Sequence, residues 1–370
     1  MRTDGKSGGP ISRRRMIRYT GAGMAAGLFS GVVGGQLFSA IPGTARTNSG
    51  PGFKGRIPIS LIIDDGSPVD PLFYELPGYE TPFLVPAEFT GKVADTFDKY
   101  GIHGKFTLIP MPSCLGRIDQ SLKRVPQEHL EKFLKIIRER IFARFDITPE
   151  FLTHLCAYDL KTGNYQRHLF EDTWISQAPP EEIVEYFTMA FQIYRNVGIE
   201  ATGITSPWVS VIDVEKKYAR ALGDAQWNFY KRKLTWYFLH AASDQEKPFP
   251  CSIEYKDPER GQVVVSIPSN AGDIFWTMDL PKKEDRIKMI NDGIDRLVPA
   301  DGKTGRIRQL MDSGMPVVIV SHWQSLYTQG TGLGLEGFSA LAERINKVFG
   351  QELEWVRCSE MAERFASSQT

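Results

Sequence analysis

Residues 60–66 read Ser-Leu-Ile-Ile-Asp-Asp-Gly, an apolar run that ends in two carboxylates and a glycine. The run predicts a buried strand over residues 57–63, and the glycine predicts a turn directly after it. Adjacent aspartates at a buried strand end repel each other and lose hydration, so a bound cation or a raised pKa must relieve them. Asp64 and Asp65 are therefore candidates for a metal site or a general base. The ordinary alternative is a solvated turn in which one aspartate caps a helix.

From this strand onward, short β-branched runs alternate with longer amphipathic stretches, which is the pattern of an α/β fold with a largely parallel sheet. Seven strand–helix units favour a closed or nearly closed barrel, and an open doubly wound sheet is the alternative. The predicted strands are 57–63, 105–109, 152–157, 201–205, 263–267, 316–321 and 354–357. The predicted helices are 87–100, 127–145, 180–196, 214–222, 283–297, 304–312 and 335–349.

Composition narrows the class of protein. The 370 residues are 42% apolar and 24% charged, which excludes a disordered, collagen-like or polytopic membrane chain. Basic and acidic residues number 44 each, so no basic excess exists to neutralise phosphates, and nucleic acid is not expected as a partner. The four cysteines are widely spaced without a C-x-x-C pair, which argues against a structural zinc cluster and leaves room for one or two disulfides.

The N-terminal segment differs from the rest in charge. Its first 45 residues hold six basic side chains and one acidic side chain, so the remainder has a net charge of −5. Residues 12–18, Ser-Arg-Arg-Arg-Met-Ile-Arg, resemble the bacterial twin-arginine export motif, and the glycine-rich stretch 19–45 is too mildly hydrophobic for a stable membrane span. We expect 1–45 to be a signal read by the twin-arginine machinery, 46–56 a linker and 57–370 the folded domain, periplasmic or secreted. An uncleaved N-terminal anchor is the alternative.

Polar residues also follow other predicted strands. His154 ends or lies within the third, Trp208 follows the fourth and His322 ends the sixth. Because the carboxyl ends of parallel strands gather at one edge, we expect these residues to converge with the two aspartates.

Residues 62–66 (Ile-Ile-Asp-Asp-Gly) and 102–108 (Ile-His-Gly-Lys-Phe-Thr-Leu) resemble the polysaccharide deacetylase family, also called the NodB-homology or carbohydrate esterase family 4 domain. The resemblance covers roughly residues 57–365. It implies a distorted (β/α)7 barrel and a metal-dependent hydrolase that removes acetyl groups from a glycan. By the same resemblance, Asp64 is the general base and Asp65 a metal ligand.

The family's second motif has two histidines four residues apart, and this chain keeps only the first, His154. Tyr158 stands in the place of the second, and Asp159 follows it. The resemblance therefore implies a metal on Asp65, His154 and Asp159, with zinc expected and cobalt, manganese or nickel as alternatives. A hydrogen-bonded core histidine is the ordinary alternative for His154.

The third motif, Arg-x-Pro-Tyr-Gly, is altered, because Thr205 replaces the arginine, and the charge that orients Asp64 is then lost. The backbone N–H of Trp208 is still expected to hold the oxyanion. His322 resembles the motif-five histidine that protonates the leaving group, with Asp273 as its supporting carboxylate and Asp279 as the second candidate. The alternative for His322 is a purely structural role.

Three tryptophans stand beside these motifs, and their faces are expected to line a sugar-binding cleft or to belong to the core. They are Trp208, Trp276 and Trp323. The sequence thus predicts an exported, metal-dependent carbohydrate deacetylase acting on an acetylated glycan. A non-catalytic carbohydrate-binding relative, or another hydrolase or lyase on the same scaffold, is the alternative.

Overall fold

The strand that carries the two aspartates forms as its apolar run predicts, with every residue after Ile57 buried. The structure, a computed structural model, describes residues 53, 55–70, 84–206, 211–241 and 247–369. The predicted signal, most of the predicted linker and Trp208 lie outside these residues. None of the helices in the described ranges combines the length and apolar character that a membrane crossing needs.

Strands and helices alternate along the described chain. The strands are β1 (Ile57–Asp64), β2 (Gly104–Thr107), β3 (Gly116–Arg117), β4 (Ser121–Leu122), β5 (Phe145–Thr148), β6 (Cys156–Asp159), β7 (Asn164–Phe170), β8 (Gly203–Thr205), β9 (Leu234–Leu239), β10 (Ser252–Asp257), β11 (Gln262–Pro268), β12 (Val317–His322) and β13 (Leu353–Trp355). The helices are α1 (Ala87–Tyr100), α2 (Gln127–Ile136), α3 (Glu171–Gln177), α4 (Pro180–Asn196), α5 (Glu215–Tyr230), α6 (Lys283–Leu297), α7 (Gly305–Asp312), α8 (Trp323–Tyr327), α9 (Leu333–Phe349) and α10 (Cys358–Ser368).

Two sheets of largely parallel strands form the frame. The first has the order β12–β1–β2–β5, with β13 also paired to β1, and the second has the order β10–β11–β9–β8. Single parallel bridges, Glu150 with Thr205 and Ala271 with Ile319, link the two sheets. The predicted mixed α/β fold with a parallel sheet is confirmed. Apart from β13, which pairs only with β1, seven parallel strands follow one another as β12–β1–β2–β5 and β8–β9–β11. Single bridges alone connect the two series, so the barrel is distorted and is not closed by continuous strand pairing.

The side chains of β1 alternate between two apolar clusters, as strand geometry requires. Leu61 and Ile63 pack in the larger cluster, whereas Ile62 packs in a smaller cluster that includes residues of α10. Asp64 follows Ile62 on the same face. The strand therefore fixes the face of Asp64, whereas Asp65 comes directly after the strand with a φ of 64°.

Several predicted elements match and several do not. Helices 87–100, 180–196 and 283–297 have the observed bounds. The predicted strand 152–157 is wrong, because residues 151–155 form a turn and the sheet strand is β5, which starts where the predicted helix 127–145 was to end. The strand β9 was not predicted, although its sequence Leu-Thr-Trp-Tyr-Phe-Leu is rich in strand-forming residues.

All four cysteines are buried free thiols, so the structure contains neither of the disulfides for which the sequence left room. A core of this size has no need of a covalent link.

Candidate functional site

The functional side chains meet at the carboxyl ends of the parallel strands. Asp64 ends β1 directly opposite His322, which ends β12 in the parallel register. His240 follows the last residue of β9. We call this region the rim. Gly66 completes the turn after the aspartates, and a Cβ there would overlap the Thr107 carbonyl and the Phe106 ring, so the turn requires glycine.

Asp64 is a fully buried carboxylate between the Lys105 ammonium and the His240 imidazole. Its Oδ1 forms an ion pair with the Lys105 ammonium and accepts a hydrogen bond of 3.0 Å from Thr107 Oγ1. Its Oδ2 lies 2.9 Å from His240 Nε2. Burial raises the pKa of Asp64, but Lys105 and His240 outweigh burial and hold that pKa well below its usual range. Asp64 is therefore ionised at neutral pH.

Lys105 supplies the positive charge that the missing motif-three arginine would have supplied. The sequence predicted that the charge orienting Asp64 is absent, because Thr205 stands in the place of the arginine. That expectation is wrong, since the fully buried Lys105 of β2 supplies the charge from a different strand, with its ammonium 4.9 Å from the centre of the Phe238 ring. Thr205 instead lies within hydrogen-bond distance of Thr107 (3.3 Å) and fills the space between strands.

Asp65 faces His154, and both residues have backbone conformations in the left-handed region, with φ of 64° and 56°. Asp65 Oδ1 lies 2.9 Å from His154 Nε2, and its Oδ2 accepts a hydrogen bond from Gln324 Nε2. Burial raises the pKa of Asp65, but the neighbouring His154 outweighs burial and lowers that pKa to about 2. Burial lowers the pKa of His154, yet Asp65 and Glu150 together raise it well above its usual value. The geometry brings the predicted pair Asp65 and His154 together.

Glu150 is the third member of this group. It is 1% exposed, and its carboxylate lies 3.0 Å from the other ring nitrogen of His154, Nδ1. The predicted ligand Asp159 is not brought to the group, because it ends β6 and accepts hydrogen bonds from the backbone N–H groups of Lys161 and Thr162 in the turn that follows. A short polar residue at a hairpin turn satisfies local backbone donors in this way.

A second buried glutamate holds the turn that presents His154. Glu171 accepts hydrogen bonds from the backbone N–H groups of Leu152 (3.1 Å), Thr153 (3.0 Å) and His154 (2.8 Å), and from the Tyr186 hydroxyl (2.6 Å). Neither Glu150 nor Glu171 was predicted. Both lie next to apolar residues in the sequence, which is a weak signal for a buried carboxylate.

His322 is paired with Asp273. The His322 Nδ1 atom lies 2.8 Å from Asp273 Oδ2, which also accepts hydrogen bonds from the His322 backbone N–H and from Ser325 Oγ. Burial lowers the pKa of His322, but Asp273, Asp65 and Asp64 together raise it to about 9. The second candidate, Asp279, instead accepts a hydrogen bond from the Trp276 indole N–H.

The predicted cleft tryptophans occupy different places. Trp276 is 9% exposed, and its ring stands edge-on to His322 at 5.2 Å between ring centres. Trp323 is fully buried against the rings of Phe89, Phe106 and Phe133, so its interpretation as a cleft residue is wrong. Trp323 is the first residue of α8, and its side chain packs in the aromatic core and not at the rim. Trp208, with its backbone N–H, lies outside the described residues.

His240 was missed by the sequence analysis. Its Nδ1 lies 3.0 Å from the Ser206 carbonyl oxygen, and its backbone N–H donates to Ser206 Oγ. A polar residue directly after the apolar run 234–239 carries the same strand-end signal as Asp64. The signal went unused because β9 itself was not predicted.

The donor set at the rim fits a divalent transition metal. Two groups of three residues each bring one ligand atom per residue within 4.8 Å, namely Asp65 with Glu150 and His154, and Asp64 with His240 and His322. The buried atoms Asp64 Oδ2 and Asp65 Oδ1 each face an imidazole nitrogen and have no hydrogen bond. Carboxylate oxygens and imidazole nitrogens are the ligands that such metals take in proteins.

No family model matches the chain, and no curated protein does so. Among solved structures, the chain is similar to a peptidoglycan N-acetylglucosamine deacetylase, at 14% identity over 85% of this chain and 91% of that one, with a TM-score of 0.41. It is also similar to the peptidoglycan deacetylase PdaC of Bacillus subtilis, at 10% identity over 85% and 94%, with a TM-score of 0.37. A third is the family 4 carbohydrate esterase of Streptomyces lividans in complex with acetate, at 10% identity over 81% and 91%, with a TM-score of 0.36. Similarity at this level carries no argument about chemistry, which rests on the residues of this chain.

Proposed function

We propose that this chain is a metal-dependent hydrolase that removes acetyl groups from a polysaccharide or related glycan. The observation that carries the proposal is the convergence at one rim of an ionised buried carboxylate, Asp64, and a carboxylate-supported imidazole, His322. An anionic proton acceptor opposite a cationic proton donor is the pairing that hydrolysis of an amide or ester needs.

Asp65 and His154 would hold the cation. Their facing atoms are 2.9 Å apart, and Glu150 on the far side of the ring fixes which nitrogen of His154 is turned toward Asp65. Zinc is the expected metal, with cobalt, manganese and nickel as alternatives. When bound, the metal supplies a Lewis acid that polarises the acetyl carbonyl.

The proton transfers belong to the chain's own residues. Asp64 accepts the proton of the attacking water through Oδ2, while Lys105 and Thr107 hold its Oδ1 in place. His322, whose pKa is raised to about 9, is protonated at neutral pH and gives its proton to the departing amine or alcohol. Asp273 fixes the orientation of the ring and stabilises its positive charge.

Substrate contacts are proposed for two tryptophans. The edge of Trp276 beside His322 supplies an apolar wall for a sugar ring. The backbone N–H of Trp208 remains the proposed oxyanion donor, on the strength of its position two residues after Ser206.

A non-catalytic carbohydrate-binding protein is the second candidate. The ion pair between Lys105 and Asp64 favours it, because a carboxylate that already compensates a buried ammonium is a weaker base than one facing water. The same rim would then bind an acetylated glycan without cleaving it.

The variant Asp64→Asn separates the two candidates. It removes the proton acceptor and keeps the shape, so we expect the rate of acetate release from acetylated oligosaccharides to fall at least about 100-fold while binding persists. The exposed Asp292→Asn serves as the matched control and should leave the rate unchanged. Equal rates for wild type and Asp64→Asn would contradict the proposed role of Asp64.

A further inference from the structure

Two of the three imidazole rings at the rim are held in the same way. In each ring Nδ1 lies at hydrogen-bond distance from a fixed oxygen, which directs Nε2 toward another group. Metal-ligating histidines are usually held like this, because the outer acceptor fixes the tautomer and the orientation of the ring. The two rings and their acceptors are His240 with the Ser206 carbonyl (3.0 Å) and His322 with Asp273 (2.8 Å). In the third ring, His154 Nδ1 lies 3.0 Å from a Glu150 carboxylate oxygen but forms no hydrogen bond with it.

Of these three rings, His154 faces Asp65, and the other two gather at the neighbouring aspartate. We propose that Asp64, His240 and His322 form a second divalent transition-metal site beside the Asp65–His154 pair. One ligand atom from each of the three residues lies within 4.8 Å of the other two. One carboxylate and two imidazoles are a donor set that suits Zn²⁺, Co²⁺ or Ni²⁺.

Asp64 is prepared for such a ligand by its own contacts. Its Oδ1 is occupied by Lys105 and Thr107, so Oδ2 is directed at His240 Nε2, 2.9 Å away, without a hydrogen bond. This oxygen is buried, whereas the His240 and His322 side chains are 16% and 21% exposed. A cation therefore has a fixed inner ligand and an approach from the side of the two rings.

Charge at the rim also favours a bound cation. Among the described residues, four buried carboxylates lie within 3.0 Å of a ring nitrogen of these histidines, and the buried Lys105 ammonium offsets one of them. Buried charges in a protein require such compensation. The carboxylates are Asp64, Asp65, Glu150 and Asp273.

The second cation would act as an inhibitor, a consequence that rests on the proposed function. It would occupy Asp64 Oδ2 and a nitrogen of His322, the atoms to which we assign the base and acid steps. The singly loaded protein would then be the active form, and excess zinc would suppress acetate release. The metal site itself does not depend on that activity.

Metal stoichiometry tests the site directly. The full chain is stripped with a chelator and titrated with Zn²⁺ and Co²⁺, and bound metal is measured by calorimetry and by elemental analysis. We expect two equivalents for the wild type, one for His240→Asn and none for His154→Asn combined with His240→Asn. The exposed His168→Asn, which controls for adventitious surface binding, should retain two.

Other stoichiometries would support or overturn the second site as follows. A single wild-type equivalent that His240→Asn removes would support the second site and count against the Asp65–His154 pair. If the wild type and His240→Asn bind the same number of metal equivalents, the second site is overturned. If His240→Asn does not fold, anomalous scattering from zinc-soaked wild-type crystals decides, because a peak between Asp64 and His240 is required. A lack of acetate release at one bound equivalent, in a protein that binds two, would refute the proposed function and leave the second site intact.

Discussion

Asp64 shows how one residue depends on partners that are distant in the sequence. A fully buried carboxylate is costly unless it is paired, and its cation comes from Lys105, 41 positions later. An inward-facing lysine in an apolar strand therefore compensates the altered third motif. The ion pair holds Asp64 in the charged form that a proton acceptor requires.

The variant Lys105→Met tests this pairing. It leaves a buried carboxylate without its cation, so we expect the free energy of unfolding to fall by about 3–5 kcal/mol. Adding Asp64→Asn should recover much of that loss, because the unpaired charge disappears. Urea unfolding of the two single variants and the double variant measures the coupling. A loss below about 1 kcal/mol for Lys105→Met would show that the pair does not stabilise the fold.

The pairing of His322 makes stability depend on pH in a specific window. The folded-state pKa, about 9, lies above the ordinary value of 6.5, so the folded protein binds the proton more tightly than the unfolded chain. The resulting stabilisation is fully present below pH 6.5 and is lost as pH rises through 9. We expect the metal-free wild type to lose more stability between pH 6.5 and 9 than His322→Gln does. Parallel stability curves for the two proteins over this window would contradict the raised pKa.

At the scale of elements, the turn between β5 and β6 is the part that sequence patterns describe least well. Its apolar residues gave a strand pattern, yet the left-handed conformations of Phe151 and His154 break any strand there. The turn is held by hydrogen bonds to Glu171, a residue outside it, so local propensity could not reveal it. By contrast α1, α4 and α6 follow the helical spacing of their own apolar residues, and their bounds were predictable.

The variant Glu171→Ala tests how this turn is held. It leaves the backbone N–H groups of Leu152, Thr153 and His154 without their acceptor. Each buried donor left unsatisfied lowers the free energy of unfolding by about 1–3 kcal/mol. We expect hydrogen exchange at these amides to accelerate at least about tenfold relative to the amides of β1. The exposed Glu181→Ala is the control and should leave exchange at both sets of amides unchanged. Unchanged protection in Glu171→Ala would mean that other contacts hold the turn.

The site as a whole was predictable where strand ends were recognised and not elsewhere. The apolar runs of β1 and β12 are easily recognised in the sequence, and they lead to Asp64, Asp65 and His322. Because parallel strands gather their carboxyl ends at one edge, the three residues were expected to lie together. His240 and Lys105 were missed because β9 was not recognised and because charge compensation across strands leaves no local pattern.

At the scale of the whole molecule, the proposed export rests on the N-terminal sequence. Changing Arg13 and Arg14 to lysine keeps the charge but removes the arginine pair, so we expect precursor to accumulate in the cytoplasm. Because Arg15 offers an alternative pair, a triple-lysine variant is needed as well. Cell fractionation with sequencing of the exported N-terminus measures the outcome. Undiminished export of the triple variant would leave general secretion or a simple anchor as the explanation.

The most direct measurement is metal-dependent acetate release by the wild-type chain. The protein is stripped with a chelator, then supplied with one equivalent of zinc, cobalt, manganese or nickel and incubated with N- and O-acetylated oligosaccharides. We expect no acetate from the stripped protein and acetate release after at least one metal is restored. Binding of the oligosaccharides without acetate release under any of these metals would contradict the deacetylase account and establish the non-catalytic alternative.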